Sequence, residues 1–302
     1  MRLFLRSRLW LLALFFPSLV YPTGRSSLAD FKNYYLDHSD TTAFIRQIHI
    51  YRQDMFDTSQ VEFRKFPFPF INRLHIKTKK KVIVRELLFS EGEPVDVALL
   101  EESERNLRAL QFIGNAFISP RFITSDSIDV NVVTEEQWTT VLGTKYEVEA
   151  GQANYGLRIE EYNFLGWGQK FKISLARING QMQREFLAAD NRLFSTRIAL
   201  EYHYKGFEDG IYQFYHLGRP FFSERSSWAF DVDYQLYHGT RTVFNHQSPI
   251  ASYQARENML NCRASHLLLR RDHASARASF LFYSNLNDQK ELSRSDSAFQ
   301  WL

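Results

Sequence analysis

His266, Asp272, His273 and Ser275 supply the residue types of a nucleophilic hydrolase: a hydroxyl, a base and a carboxylate to orient it. No Gly-x-Ser-x-Gly elbow accompanies them, so nothing in the sequence organises the set for acyl transfer. Asp231 and Asp233 are spaced like paired acids or divalent-cation ligands. They alternate, however, with Trp228, Phe230, Val232, Tyr234 and Leu236, which makes them the polar side of a strand. His203, His216 and His238 lack tight ligand spacing. No glycine-rich phosphate loop stands between a strand and a helix. Cys262 is the only cysteine, so neither an intramolecular disulfide nor a thiolate metal cluster can form within one chain. The residues point away from an enzyme, from a metal and from any cofactor.

Composition points elsewhere. Of 302 residues, 27 are Phe and 15 Tyr, and aromatics reach 16%, yet mean hydropathy is −0.35. Large rings without overall hydrophobicity suit strands that are apolar on one side only, in a soluble sandwich or a membrane barrel. A net charge of +3, from 37 Lys and Arg against 34 Asp and Glu, does not indicate a nucleic-acid partner. At the N-terminus, Arg2, Arg6 and Arg8 precede an apolar run over 9–20 broken only by Pro17 and Ser18. This pattern predicts a Sec-type signal peptide over 1–24, too short for a spanning helix of ~20 residues. A polar linker is expected over 25–42.

Two modules must position whatever function follows. In the first, 43–138, residues 46–51 alternate with Ile48 and Ile50 on one side. The Phe-Pro-Phe-Pro-Phe run at 66–70 predicts a rigid extended connector. A short helix is expected over 81–89 with Ile83, Val84, Leu87 and Leu88 on one face. A second helix is expected over 97–110, capped by Asp96 and carrying Leu99, Leu100, Leu107 and Leu110. The pairs Glu101/Arg105 and Glu104/Arg108 have helix-stabilising spacing. Strands follow at 116–123 and 127–133, where Ile128, Val130 and Val132 alternate with Asp129 and Asn131. The predicted order is β-α-α-β-β, a small sheet with two helices on one face.

The text KTKKKVIVRELLFSEGEPVDVALLEESERNLRAL at 77–110, followed by FIGNAFI at 112–118, resembles a polypeptide-transport-associated (POTRA) domain of the outer-membrane protein 85, or bacterial surface antigen, superfamily. The resemblance implies a periplasmic domain whose sheet edge takes up strands from unfolded outer-membrane proteins or periplasmic assembly partners by β-augmentation. Ile48, Ile50, Ile128, Val130 and Val132 mark the expected client-binding strands.

The second module, 150–302, follows an expected connector at 138–151 and alternates with period two. Tyr155, Leu157 and Ile159 oppose Arg158 and Glu160. Phe171, Ile173 and Leu175 oppose Lys172 and Ser174. Leu200, Tyr202 and Tyr204 oppose Glu201 and His203. Further strands are expected at 210–216, 265–271 and 275–283. Alternation alone does not separate a sandwich from a barrel, whereas the signal peptide, the preceding domain and the strand length favour a barrel in the outer-membrane bilayer. YGLRIEEYNFLGWGQKFKISL at 155–175 resembles the opening hairpin of the superfamily barrel, with Asn163, Gly166 and Gly168 in a turn that calls for positive φ. The fold class expected is therefore an α+β POTRA-like domain followed by antiparallel transmembrane strands of an incomplete barrel. Seven or eight strands are foreseen, and a polar irregular stretch is expected over 245–261. The superfamily barrel of about sixteen strands needs more than the roughly 150 positions left after 150, so the expectation is either a downstream continuation of roughly eight strands ending on an aromatic-ended closing strand, or a smaller barrel of about eight strands or edges that pair with another chain. The function implied is outer-membrane protein assembly or translocation. A pore or adhesion scaffold that keeps the domain only for positioning is the alternative.

Overall fold

The computed structural model describes residues 28–37, 43–149, 152–245, 248–271 and 274–294. The expected signal peptide, Asp272, His273 and the 298–302 segment lie outside the described residues.

The first module is a three-stranded sheet of β1 (Phe44–Gln53), β2 (Ile113–Phe122) and β3 (Ser127–Glu136), in the order β1-β3-β2. β1 runs parallel to β3, and parallel pairing needs a long crossover, which 54–112 supplies. That crossover carries α3 (Lys80–Val84) and α4 (Val97–Arg108). A β-bulge between Ile45 and Gln47 lets both Ile45 and Ile48 face inward despite their odd spacing. The core closes on Ile45, Ile83, Leu100, Leu107, Ile118 and Val130, none more than 1% exposed.

Helix α4 follows its sequence closely. The Asp96 carboxylate accepts the amides of Ala98 and Leu99 at 3.0 and 3.3 Å, satisfying two of the helix's free donors. Glu104 and Arg108 pair as expected. Glu101 and Arg105 do not: Glu101 takes Lys32 at 2.8 Å, and Arg105 reaches across to Glu224 at 3.6 Å. The partner of Glu101 lies on α1 (Leu28–Asp37), in place of the linker expected at 25–42. Leu28 and Phe31 bury against the core, and Phe31 stacks on Phe122 at 5.3 Å, so three well-placed apolar rings and chains suffice without long periodicity.

Two further expectations are corrected. The Phe-Pro-Phe-Pro-Phe run is not an extended connector, because α2 (Phe68–Leu74) starts within it. Proline is tolerated in a first helical turn, where its missing N–H has no partner to lose. The helix expected over 81–89 ends at Val84. Val84 points outward, 50% exposed, while Leu87 and Phe89 reach the core from an irregular segment.

Beyond three linking residues, 137–139, the chain enters a nine-stranded antiparallel meander. Its strands are β4 (Thr140–Glu149), β5 (Gln152–Glu161), β6 (Gln169–Ile178), β7 (Gln181–Asp190), β8 (Ala199–Phe207), β9 (Gly210–Arg219), β10 (Trp228–Asn245), β11 (Ser248–Arg271) and β12 (Ala274–Arg294). The connector expected at 138–151 is thus itself a strand. The stretch at 245–261 is largely strand too, part of the 24 residues of β11. Paired on both sides through most of its length, so long a strand needs no continuous apolar alternation to persist. The strand at 140–149 adds one to those foreseen, the 245–261 stretch only lengthens β11, and β7 is the other strand not foreseen, so nine stand where seven or eight were expected. Among the described residues β4 and β12 are each paired on one side only, and the sheet is not closed. No helix among the described residues is long and apolar enough to cross a membrane.

Register fixes the two faces. Leu142, Ile159, Ile173, Phe186 and Tyr204 follow one another across β4 to β8 on one side. On that side Phe164, Phe171, Phe186, Tyr202, Tyr215 and Tyr234 form a ladder of rings 4.7 to 6.3 Å apart. Leu142, Leu157 and Phe280 there are 67 to 77% exposed, a surface that water alone would not favour. The opposite face is charged and self-satisfied. Lys172 and His203 meet Glu185 at 2.8 and 2.6 Å, and His216 meets Asp233 at 2.7 Å.

On the open face of the small sheet, Arg46 clasps Asp129 through two hydrogen bonds of 2.8 and 2.6 Å, with His49 at 3.5 Å. The Arg46 hydrogen bonds hold the Asp129 carboxyl below its ordinary value. A depressed carboxylate contributes stability above its unfolded pKa of about 3.9, and that contribution is lost as pH falls through the folded value. In urea titrations from pH 6 to pH 2, Asp129→Asn is therefore expected to be less stable at pH 6. Its stability should then fall less steeply than wild type on the acid side, and parallel curves would contradict the assignment.

Candidate functional site

The two modules meet where three successive turns on one rim of the large sheet dock onto the small domain. The first turn, between β5 and β6, contains Asn163, Gly166 and Gly168, and the structure brings all three together against 77–85. Gly166 and Gly168 take φ of +76° and +71°, as the sequence calls for. The close approach is as demanding as the angle: a Cβ on Gly166 would lie 2.5 Å from the Lys77 carbonyl oxygen. The Gly166 carbonyl accepts the Lys79 amide at 2.9 Å, and Lys79 Nζ sits 3.5 Å from the Trp167 ring centroid.

A buried polar chain runs behind this contact. His75 Nε2 lies 3.3 Å from Glu136, whose carboxylate accepts the Thr78 amide and hydroxyl at 2.9 and 2.8 Å. The Asn163 amide donates to the Thr78 hydroxyl oxygen at 2.8 Å, and its carbonyl accepts the Gly168 amide at 2.7 Å. Each group is satisfied by the next, so burial costs little and the geometry is unique.

The second turn, between β7 and β8, repeats the first in backbone. Asn163 and Arg192 share φ near −141° with ψ near 54°, and Leu165 and Phe194 share a left-handed φ near 51°. In both turns a carboxylate two residues earlier, Glu161 or Asp190, accepts the amide at 2.8 Å. Arg192 here reaches Glu86, a side chain 3% exposed, at 2.6 Å, and Arg197 lies 3.6 Å from the same carboxylate. Arg85 is 3.8 Å away. Burial pushes the Arg85 and Arg197 guanidiniums down from their ordinary value, against the pull of nearby carboxylates. One carboxylate thus serves three dry cations, which makes Glu86 the least replaceable charge in the joint.

The third turn, between β9 and β10, meets α4. Glu102 accepts the Ser223 hydroxyl and the Glu224 amide at 3.0 and 2.6 Å, and Arg225 pairs with Asp96, so the helix cap also serves the joint.

The residues expected to bind clients fall differently. β3 lies between β1 and β2 and is paired on both sides; Ile128, Val130 and Val132 are fully buried in the core. Ile48 and Ile50, on β1, also face the core, but β1 is an edge strand. Its first part is already covered: Ile45 exchanges hydrogen bonds with Gly92 and Glu93, and the Ile48 amide donates to Glu91. From the Ile48 carbonyl to Gln53 no backbone partner occupies the outer edge among the described residues.

His266 and Ser275 sit on β11 and β12 without facing each other in register, and Asp231 and Asp233 take the charged face. Among the described residues no group of three or more His, Cys, Asp or Glu is placed to hold a metal. The docking residues Thr78, Glu86, Glu102, Glu136, Arg192 and Arg197 were not legible as a site. The repeated acid-x-polar-apolar-apolar-small pattern at 161–166 and 190–195 was the available signal.

No protein-family model matches the sequence, and no curated protein matches it. Among solved structures, the chain is similar to BamA from Haemophilus ducreyi lacking POTRA domains 1–3, with a TM-score of 0.43 and 15% identity over 80% of this chain and 48% of that one. It is also similar to CdiB from Acinetobacter baumannii, with a TM-score of 0.42 and 13% identity over 84% of this chain and 47% of that one. The chain spans about half the length of either.

Proposed function

We propose that this protein is an outer-membrane assembly or translocation factor. Its large sheet occupies the bilayer, its small domain stands in the periplasm, and unfolded outer-membrane clients add to the free edge of β1. The observation that carries this reading is the combination of a sheet with one continuous exposed aromatic face and a POTRA-like domain fixed to one rim by three turns. Apolar face and charged face suit lipid and lumen respectively. A strand edge held at a fixed distance from the bilayer suits delivery of client strands, with backbone hydrogen bonds giving affinity and side chains selectivity.

The free stretch of β1 makes the test specific. A photocrosslinking residue at Tyr51, 53% exposed, is expected to capture unfolded outer-membrane proteins during their export, whereas one at Asp126, beyond the start of β3 at the far end of the domain, is expected to capture few or none. Equal capture at both positions, or none at either, would sink the edge-binding reading.

A further inference from the structure

Helix α2 wears its apolar side outward. Phe68 points in, packing on Phe56 and Phe63 at 4.8 and 4.9 Å, and Asn72 ties the helix to the backbone of Phe56. Phe70 and Leu74, spaced i, i+4 on the other side, are 53 and 57% exposed; Phe66, just before the helix, packs on Phe70 with ring centroids 6.2 Å apart and is 82% exposed, and Ile76, just after it, continues the row at 53%. So contiguous an apolar stripe, on a segment otherwise well packed, marks a surface that something covers.

Its position says what. The stripe ends at the rim of the large sheet: His75 contacts Glu136, the last residue of β3, and a Cβ on Gly166 would lie 3.6 Å from Ile76. From that turn Phe164 packs on Phe171 at 4.7 Å, the first rung of the aromatic ladder on the apolar face. The row from Phe66 to Ile76 therefore continues the surface assigned to lipid. Around it Arg64, Lys65, Arg73, Lys80 and Lys81 are exposed, and Glu62 is the only carboxylate between 61 and 81.

From this continuity and charge we infer that α2 is an interfacial anchor, lying in the periplasmic leaflet of the outer membrane with Phe66, Phe70, Leu74 and Ile76 among acyl chains and the flanking cations at phospholipid phosphates. Apolar rings on one side and Lys and Arg beside them are what hold a helix ~5 to 10 Å into the headgroup boundary. The inference rests on the membrane reading of the sheet. It adds that the domain is fixed in height above the bilayer by its own contact with lipid as well as by the three turns.

The test uses the full chain, with Cys262→Ala, in vesicles of phosphatidylethanolamine and phosphatidylglycerol. Single cysteines replace Phe70, Leu157 on the apolar face, or Ser125 in the exposed turn before β3, about 30 Å along that strand from the rim. Each carries a fluorophore, and the vesicles carry phospholipids spin-labelled near the headgroup or deep in the chain. At 70, shallow labels are expected to quench emission by about half and more than deep ones, as the stated depth requires. At 157 lipid quenching is also expected, and at 125 none. Quenching at 157 without quenching at 70 overturns the anchor and leaves the sheet's placement standing. A probe at 70 shielded from aqueous iodide yet untouched by lipid labels also overturns it, assigning the stripe to protein. Absence of quenching at both 70 and 157 sinks the membrane reading and the anchor with it. Equal quenching at 125 overturns the anchor as well, since the contact would not be selective for α2.

Discussion

Replacing Glu86 with alanine should be among the most damaging single changes in this molecule, costing about 3 to 5 kcal/mol of docking between the domain and the β7–β8 turn. The figure follows from what remains. Arg192 and Arg197, 13 and 19% exposed, would stay beside Arg85 with their shared carboxylate gone. Arg85 Nε and Arg197 Nη1 already make no hydrogen bond among the described residues, and what would remain is the pull of Asp190 on Arg85 and single bonds from the guanidiniums to the carbonyls of Trp167, Leu87 and Asn191. Hydrogen exchange reads the effect directly, because the Ser195 and Thr196 amides are bonded within the turn, to Arg192 and Leu193. Their protection should fall by about two to three and a half decades, the equivalent of that free energy. As a control, Arg241→Ala removes a half-exposed ion pair with Glu257 and should cost under about 1 kcal/mol. A Glu86→Ala loss no larger than the control would show that the cluster contributes no docking energy.

Gly166→Ala should separate the first turn from the domain. A left-handed backbone costs an alanine roughly 1 to 2 kcal/mol, and here the added methyl also meets the Lys77 carbonyl, which no side-chain rotation can move. The Lys79 amide, bonded to the Gly166 carbonyl, should lose protection first. The second turn supplies the contrast. Ser195 holds the matching position at φ 63° and already carries a Cβ, so Ser195→Gly should change stability by between zero and about 1 kcal/mol in the favourable direction. Equal behaviour of the two variants in exchange measurements would mean that the close approach at Gly166 plays no part in docking.

These joints show where sequence reasoning reached and where it stopped. The alternation that sets the faces of the large sheet was readable because period two leaves a one-residue slip nowhere to hide: Phe171, Ile173 and Leu175 stand on the side expected of them. The Asp96 cap was legible for the same local reason. The strand order β1-β3-β2 was not, since which strand becomes central depends on pairing across more than 70 residues of chain. Val130 and Ile48 look alike in sequence, yet one strand is inside and the other at the edge. The polar part of β11 was misread because a strand held by ladders on both sides need not alternate. The Asn179-Gly180 pair between β6 and β7, with φ of 52° and 81°, was a hairpin signal in plain view. The docking charges were beyond reach: Glu86 and Arg192 are 106 positions apart, and nothing local distinguishes either from a surface ion.

The account stands or falls on which face of the large sheet meets hydrocarbon, and the most direct measurement is residue-by-residue labelling along β5 and its neighbour β4 in intact outer membranes. With Cys262→Ala as background, single cysteines at 155, 157 and 159 should react with a lipid-phase reagent and resist an aqueous maleimide. Cysteines at 158 and 145, whose native side chains occupy the charged face, should do the reverse. Aqueous reactivity at every position, or lipid labelling that does not alternate, would contradict the placement of this sheet in the membrane and with it the proposed function.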